Sequence, residues 1–154
     1  MFREMRRNDK KISEEAAIAI LEKGIYGVLS TVGADGYPYG IPVNYLYKKG
    51  RIYFHCASVG GHKTENMKYC DKVCFTVTGY AEVLAEHFNM KYESVVVFGR
   101  AKEVEDIKQV ILEDIIDKYS AEYKKDGFEY IKRAAEKTAV YEIVIEAVSG
   151  KAKY

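Results

Sequence analysis

The residues best suited to chemistry lie where a β-like run ending YFHCASV passes through Gly60 and Gly61 into His62, Lys63 and Thr64. The free amides of a helix's first turn attract anions, and glycines let the backbone approach a ligand closely. Lys63 adds a full positive charge, although a lysine at a helix start opposes the helix dipole unless an anion neutralises it. We therefore favour a phosphate-type anion site here over a plain turn.

This segment differs from the common nucleotide-binding and hydrolase motifs. In a P-loop both glycines of G-x-x-x-x-G-K-[ST] are required, whereas Ala57 and His62 stand at those positions here. The chain contains neither G-x-G-x-x-G nor G-x-S-x-G. The sequence thus argues against a nucleotide triphosphatase, a Rossmann enzyme and a serine hydrolase.

Zinc binding is the second reading of this region. Possible ligands are His55, Cys56, His62, Cys70 and Cys74. The spacing Cys70-x-x-x-Cys74 crosses from a predicted helix into a predicted strand, and no C-x-x-C pair exists. We predict no metal, and free cysteines that pack as small hydrophobic residues.

Length, charge and composition indicate what kind of protein carries this site. The 154 residues predict one domain, 1–154, with residues 1–11 as a basic leader segment. A net charge of +1 favours neither nucleic acid nor an acidic membrane as partner. The absence of an apolar run near membrane length and an odd number of cysteines, three, predict a reduced, cytoplasmic protein. Fourteen tyrosines and no tryptophan indicate β structure and an interface.

The pattern of elements predicts how the site is positioned. Ser13 followed by two glutamates predicts a helix that ends at Gly24. IYGVLSTV, YPYGIPVNYLY and RIYFHCA then predict three antiparallel strands, and the two prolines of the second favour an edge strand or a place where a ligand approaches. A short helix over 62–69, two strands, helices and a last strand follow. We predict a mainly β fold with helices, a six-stranded antiparallel barrel.

The ordered set of segments GVLSTV, DGYPYGIP, IYFH, GGHK, DKVCFTV and YESVVVFGRAKEV resembles the FMN-binding split-barrel superfamily, the pyridoxamine 5′-phosphate oxidase-like fold. The resemblance extends from about Ile12 to Lys151. Among its branches the nitroimidazole-resistance proteins are the most similar, because of His55 at the end of the third strand and the run SVVVFGRA.

The resemblance implies a six-stranded split barrel that forms a homodimer, with FMN bound between the subunits. His62 and Lys63 would hold the FMN phosphate. The resemblance further implies that the ring and ribityl chain lie near a set of residues on three strands: Pro42, Val43, Asn44, His55, Cys56, Ala57 and Ser94. His55 is the candidate catalytic residue, since it is the group near the site that titrates close to neutral pH.

The chain departs from the true oxidase, whose pattern includes a tryptophan and an arginine-rich tail. This sequence has no tryptophan and closes with SGKAKY, which argues against pyridoxamine phosphate as substrate. We expect an FMN-dependent reductase of nitroaromatic or related small oxidised molecules. The alternative is a non-catalytic carrier or sensor that binds FMN, haem or a deazaflavin.

Overall fold

The computed structural model describes residues 2–154, in which eight strands form one antiparallel sheet and four α-helices pack against it. The strands are β1 (Lys11–Ile12), β2 (Tyr26–Val32), β3 (Pro38–Asn44), β4 (Leu46–Lys48), β5 (Arg51–Ala57), β6 (Lys72–Leu84), β7 (Asn89–Val104) and β8 (Thr138–Lys153). The helices are α1 (Glu14–Lys23), α2 (His62–Tyr69), α3 (Lys108–Tyr119) and α4 (Lys124–Ala134). No helix within the described residues is long and apolar enough to cross a membrane.

The two ends of the sheet are joined by a single residue. The hydrogen-bonded order is β3-β2-β6-β7-β8-β5-β4, with β1 also paired to β8. β3 and β4 stand at opposite ends of this order, yet only Tyr45 separates them in the chain. The sheet must therefore curl until its ends meet at Tyr45, although no ladder of hydrogen bonds within residues 2–154 closes it.

The predicted fold class is confirmed as mainly β with helices and an antiparallel sheet, but the predicted number of six strands is wrong. One predicted strand, YPYGIPVNYLY, divides at Tyr45 into β3 and β4, which pair with different neighbours. The second strand beyond the predicted six is β1, whose two residues are too few to produce a periodic pattern.

The opening in the barrel lies between β3 and the second half of β5. β4 pairs only with the first residues of β5, Arg51 to Tyr53, which leaves the far edge of Phe54–Ala57 without a strand. α2 follows β5, and the ring of His62 stacks on Tyr39 of β3 with the centroids 3.8 Å apart. The start of α2 therefore lies across the split.

Both prolines of β3 fit an edge strand. Pro38 pairs with Val32 and Pro42 with Val28, two positions of the same parity. Since proline has no amide hydrogen, it suits positions whose backbone faces away from β2. The predicted edge strand is confirmed, and the backbone groups of the intervening Gly40 face the split as well.

Two apolar clusters hold the layers together. The larger fills the barrel and includes α1 through Ala17, Ile20 and Leu21. The smaller lies outside the barrel, where α3 and α4 cover the outward-facing Tyr53 and Val140. The site therefore lies at the boundary between a curled sheet and a helical layer.

The first helix begins as predicted and ends for a different reason. The Ser13 hydroxyl oxygen accepts a hydrogen bond from the Ala16 amide, 3.1 Å away. Gly24 follows the helix with an ordinary φ of −60°. A Cβ on Gly24 would lie 2.2 Å from the Tyr45 hydroxyl oxygen, so glycine is required there by packing.

Candidate functional site

The first turn of α2 presents amides that no side chain caps. The amide of Gly61 donates to the Thr64 hydroxyl oxygen at 2.6 Å, and that hydroxyl donates to the Gly61 carbonyl at 2.8 Å. A Cβ placed on Gly61 would meet no atom within 4 Å, so the space in front of the helix is open. Because Lys63 is on this turn, the site combines free amides with a positive charge, as an anion site requires.

Buried contacts fix the position of α2. The Asn66 side-chain amide donates to the Thr31 hydroxyl oxygen of β2 at 3.0 Å, and both side chains are buried. Gly33 leaves the room for this contact, since a Cβ there would lie 2.1 Å from the Asn66 side-chain oxygen. Together with the stacking of His62 on Tyr39, these contacts hold the helix start against the sheet.

The end of β5 places two titratable side chains on opposite faces of the sheet. His55 shares the face of Tyr53, toward α3 and α4, whereas Cys56 packs against the barrel core. The His55 side chain is exposed, but partial desolvation by the surrounding residues lowers its pKa, and the positive charge of Lys63 lowers it further. Burial raises the pKa of the Cys56 thiol, an effect that Lys63 opposes. At neutral pH the imidazole is therefore mainly uncharged and Cys56 is a thiol.

His55 lies at the junction of two cavities. The inner cavity, about 140 Å³, is enclosed mainly by apolar side chains of α3 and α4. The outer cavity, about 560 Å³, extends along the end of β5 past Cys56 and Ala57. Four residues belong to the lining of both cavities: His55, Tyr130, Ala134 and Thr138. The two cavities are thus parts of one recess.

The edge of β3 extends away from the helix start. Tyr39, which contacts His62, and Asn44 are five residues apart, a distance of about 17 Å in an extended strand. Pro42 and Asn44 are exposed, and the Val43 side chain packs against the barrel core. The structure therefore brings the Pro42–Asn44 edge, the end of β5 and the start of α2 around one split.

Ser94 lies elsewhere in the chain's own fold. It pairs with Thr78 on β6 and with Lys151 on β8, whereas His55 pairs with Val140 on β8. The two β8 partners are eleven residues apart, about 36 Å along an extended strand. A role for Ser94 in this site stays a prediction, and it requires a second copy of the chain.

Sequence reasoning missed the contributions of Tyr39 and of α4. Tyr39 is one of fourteen tyrosines, and only its place between two edge-strand prolines could have distinguished it. The α4 residues Tyr130 and Arg133 belong to one of the predicted helices, and their proximity to β5 depends on the tertiary fold. No group of three or more metal-ligating side chains occurs within residues 2–154.

These features define a split barrel with a candidate anion site at the opening. A family model described as pyridoxamine 5′-phosphate oxidase matches residues 13–152. The chain therefore belongs to the pyridoxamine 5′-phosphate oxidase family, as the resemblance predicted.

Solved structures share this fold at low sequence identity. A candidate 5-nitroimidazole antibiotic resistance protein from Bacteroides thetaiotaomicron is 24% identical, with a TM-score of 0.79 over 92% of this chain and 86% of that one. A FAD-binding protein from Mesorhizobium loti is 22% identical, with a TM-score of 0.67 over 94% and 98%. A FAD- and haem-binding protein from Mycobacterium smegmatis is 17% identical, with a TM-score of 0.80 over 94% and 73%. A comparison with curated proteins gave no significant match.

Proposed function

We propose that this protein is a flavoprotein that binds FMN in the split of the barrel. The observation that carries the proposal is the first turn of α2, which presents free amides, Lys63 and open space at the split. His62 and Lys63 hold the phosphate, and the exposed backbone of Pro42–Asn44 contacts the ring system. Cys56 and Ala57 border the ribityl chain. A bound flavin supplies the electron-transfer chemistry, and the protein supplies binding and orientation.

The cofactor lies between two copies of the chain in this proposal, and Ser94 reaches it from the second copy. The β6–β7 hairpin supports a homodimer because its tip exposes apolar side chains: Val83 is 72% exposed and Phe88 98%. Exposed apolar side chains grouped at such a tip are typical of an interaction surface. Light scattering on the purified protein tests this, and a monomer at working concentration would contradict it.

The reaction that we propose is the reduction of nitroaromatic or related small oxidised substrates in the cytoplasm. Reduction of a nitro group consumes protons as well as electrons, and His55 is our candidate proton donor or substrate contact. The absence of tryptophan from the 154 residues argues against oxidation of pyridoxamine phosphate.

The absorption spectrum of freshly purified protein tests the cofactor. We expect flavin bands that bleach with dithionite and return when a nitroaromatic compound is added under anaerobic conditions. A chain that purifies colourless and takes up no FMN on titration would refute the proposal.

A non-catalytic carrier or sensor is the second candidate. It is favoured by the lowered pKa of His55, because less of this imidazole is protonated at neutral pH than in an ordinary histidine. In that case the flavin bleaches with dithionite but does not recover with a nitroaromatic compound. Binding of haem, with a Soret band, or of a deazaflavin would identify the other carriers.

A further inference from the structure

The aromatic contact between Tyr39 and His62 has no role in the proposed function. Tyr39 lies on the edge strand β3, and its ring stacks on the imidazole of His62 with 3.8 Å between the ring centres and 24° between the ring planes. His62 is the first residue of α2. The contact therefore crosses the split of the barrel and joins its edge strand to the start of the helix.

The same two strands contact α2 at a second point. Tyr39 pairs with Thr31 in the ladder between β2 and β3, and the Thr31 hydroxyl oxygen accepts from the Asn66 side-chain amide at 3.0 Å. Asn66 follows His62 by four residues, so both side chains lie on one face of the helix. Two neighbouring side chains of the sheet thus contact two successive turns of α2, which fixes the rotation of the helix about its axis.

Stacking restricts the His62 imidazole without using its nitrogens. Both nitrogens lie in the plane of the ring, whereas the contact with Tyr39 is made by the ring face. An exposed side chain loses rotamer freedom when it binds a ligand, and the His62 side chain is exposed. Because Tyr39 already holds the ring, less of this entropy is lost when an anion binds.

We propose that Tyr39 is a positioning residue, whose ring holds the His62 imidazole so that one of its nitrogens donates to a phosphate at the start of α2. The stacked pair thereby selects a flavin that carries a phosphate over one that does not. Tyr39 acts through His62, and it needs its ring for this role but not its hydroxyl group. This inference rests on the proposed flavin site.

The test compares the dissociation constants of FMN and riboflavin, which differ by the phosphate, in fluorescence titrations. We expect the native protein to bind FMN roughly a hundredfold more tightly, since His62 and Lys63 each supply one charge-assisted contact. Tyr39→Leu should lower this ratio about fivefold to tenfold without a change in riboflavin affinity, the effect of roughly one hydrogen bond. Tyr39→Phe keeps the ring and should keep the ratio.

Two further variants distinguish positioning from a general loss of structure. In a protein that already carries His62→Leu, the change Tyr39→Leu should lower the ratio no further, because the residue through which it acts is gone. The matched control Tyr37→Leu replaces a tyrosine that is 75% exposed two residues earlier, and it should keep the native ratio.

Riboflavin affinity reports on the fold and on the ring site in every variant. A native ratio in Tyr39→Leu, an equal loss of riboflavin and FMN affinity, or a further fall of the ratio in the His62→Leu protein overturns the role of Tyr39 and leaves the flavin site intact. A native protein that binds neither flavin refutes the proposed function and this inference with it, and one that binds both equally refutes the phosphate assignment on which the inference depends.

Discussion

The hydroxyl oxygen of Tyr119 lies 2.9 Å from both the amide nitrogen and the carbonyl oxygen of Tyr45. It accepts from that amide, and its own hydrogen faces the carbonyls of Ile25, at 2.5 Å, and Tyr45. The neighbouring Lys118 ammonium donates to the Tyr45 carbonyl at 2.8 Å. The end of α3 thus provides hydrogen bonds to the backbone of Tyr45, where the two ends of the sheet meet and no neighbouring strand is available to do so.

This arrangement predicts that stability rises with pH in the alkaline range. Burial lowers the pKa of Lys118 from 10.5 to about 8. Between about pH 8 and pH 10.5 the unfolded chain holds a proton that the folded protein has released, so the free energy of unfolding increases with pH. Burial raises the pKa of Tyr45 and of Tyr119, so stability falls again once unfolded tyrosines ionise above about pH 10.

Urea unfolding at intervals from pH 7 to 11 measures this profile. The variant Lys118→Met keeps the packed stem but has no titrating group, so its rise between pH 8 and pH 10 should disappear. A native profile that is flat across this interval would show that the ammonium group is not desolvated as described.

The variant Lys63→Ala should weaken FMN binding. It removes a charge-assisted contact worth roughly 1.5–3 kcal/mol, equivalent to about 10- to 150-fold in the dissociation constant. Fluorescence titration of apoprotein with FMN measures the effect. The control Lys68→Ala removes an exposed lysine from the last turn of the same helix and should leave the affinity unchanged. Equal affinities in the two variants would contradict the phosphate assignment.

The variant Thr31→Val should destabilise the protein by about 1–3 kcal/mol, because the buried Asn66 amide loses its hydrogen-bond partner without a change in volume. Urea unfolding gives the free energy, and FMN affinity should fall as α2 loosens. The control Thr78→Val replaces an exposed threonine on the neighbouring strand β6 and should change the free energy of unfolding only slightly. A similar loss in both variants would mean that the Asn66 contact contributes nothing specific.

The buried carboxylate of Glu142 predicts that the contributions of Glu142 and Arg51 to stability are energetically coupled. The Glu142 side chain is 2% exposed, and it accepts from the Arg51 guanidinium at 2.7 Å and from the Tyr53 hydroxyl at 3.0 Å. Loss of Arg51 leaves the buried charge with the more distant Lys102, at 3.8 Å. A double-mutant cycle with Arg51→Met and Glu142→Gln should give a coupling of about 0.5–3 kcal/mol. Additive effects would exclude this ion pair as a determinant of stability.

Local patterns predicted most elements because the signals lie within each element. The helix over 62–69 is confirmed with the predicted bounds, and Val73, Phe75 and Val77 of β6 share the buried face. One of the predicted helices, α3, begins at Lys108 without a side-chain cap. The division at Tyr45 escaped prediction because β3 and β4 form one uninterrupted β-like run, and only pairing with distant strands separates them.

The part of the site that lies in one contiguous segment could be predicted from the sequence. The part that forms only when distant segments pack together could not. The glycine pair and Lys63 are contiguous, so their placement at a helix start could be read directly. The cavity at His55 arises because α4 packs beside β5, more than sixty residues earlier in the chain, and no local pattern records that contact. The pairing of Asn66 with Thr31 is equally non-local.

The last strand gives this fold a particular order of assembly during translation. β8 pairs with β1, β5 and β7, so a nascent chain that ends before Thr138 exposes strand edges on β5 and β7. Pairing between segments so distant in sequence is slow, and unpaired edges attract other chains. β3, β2, β6 and β7 can pair with one another before β8 is made, whereas β4 and β5 can join the sheet only through β8, so exposed strand edges make chaperone protection matter most until that strand is in place.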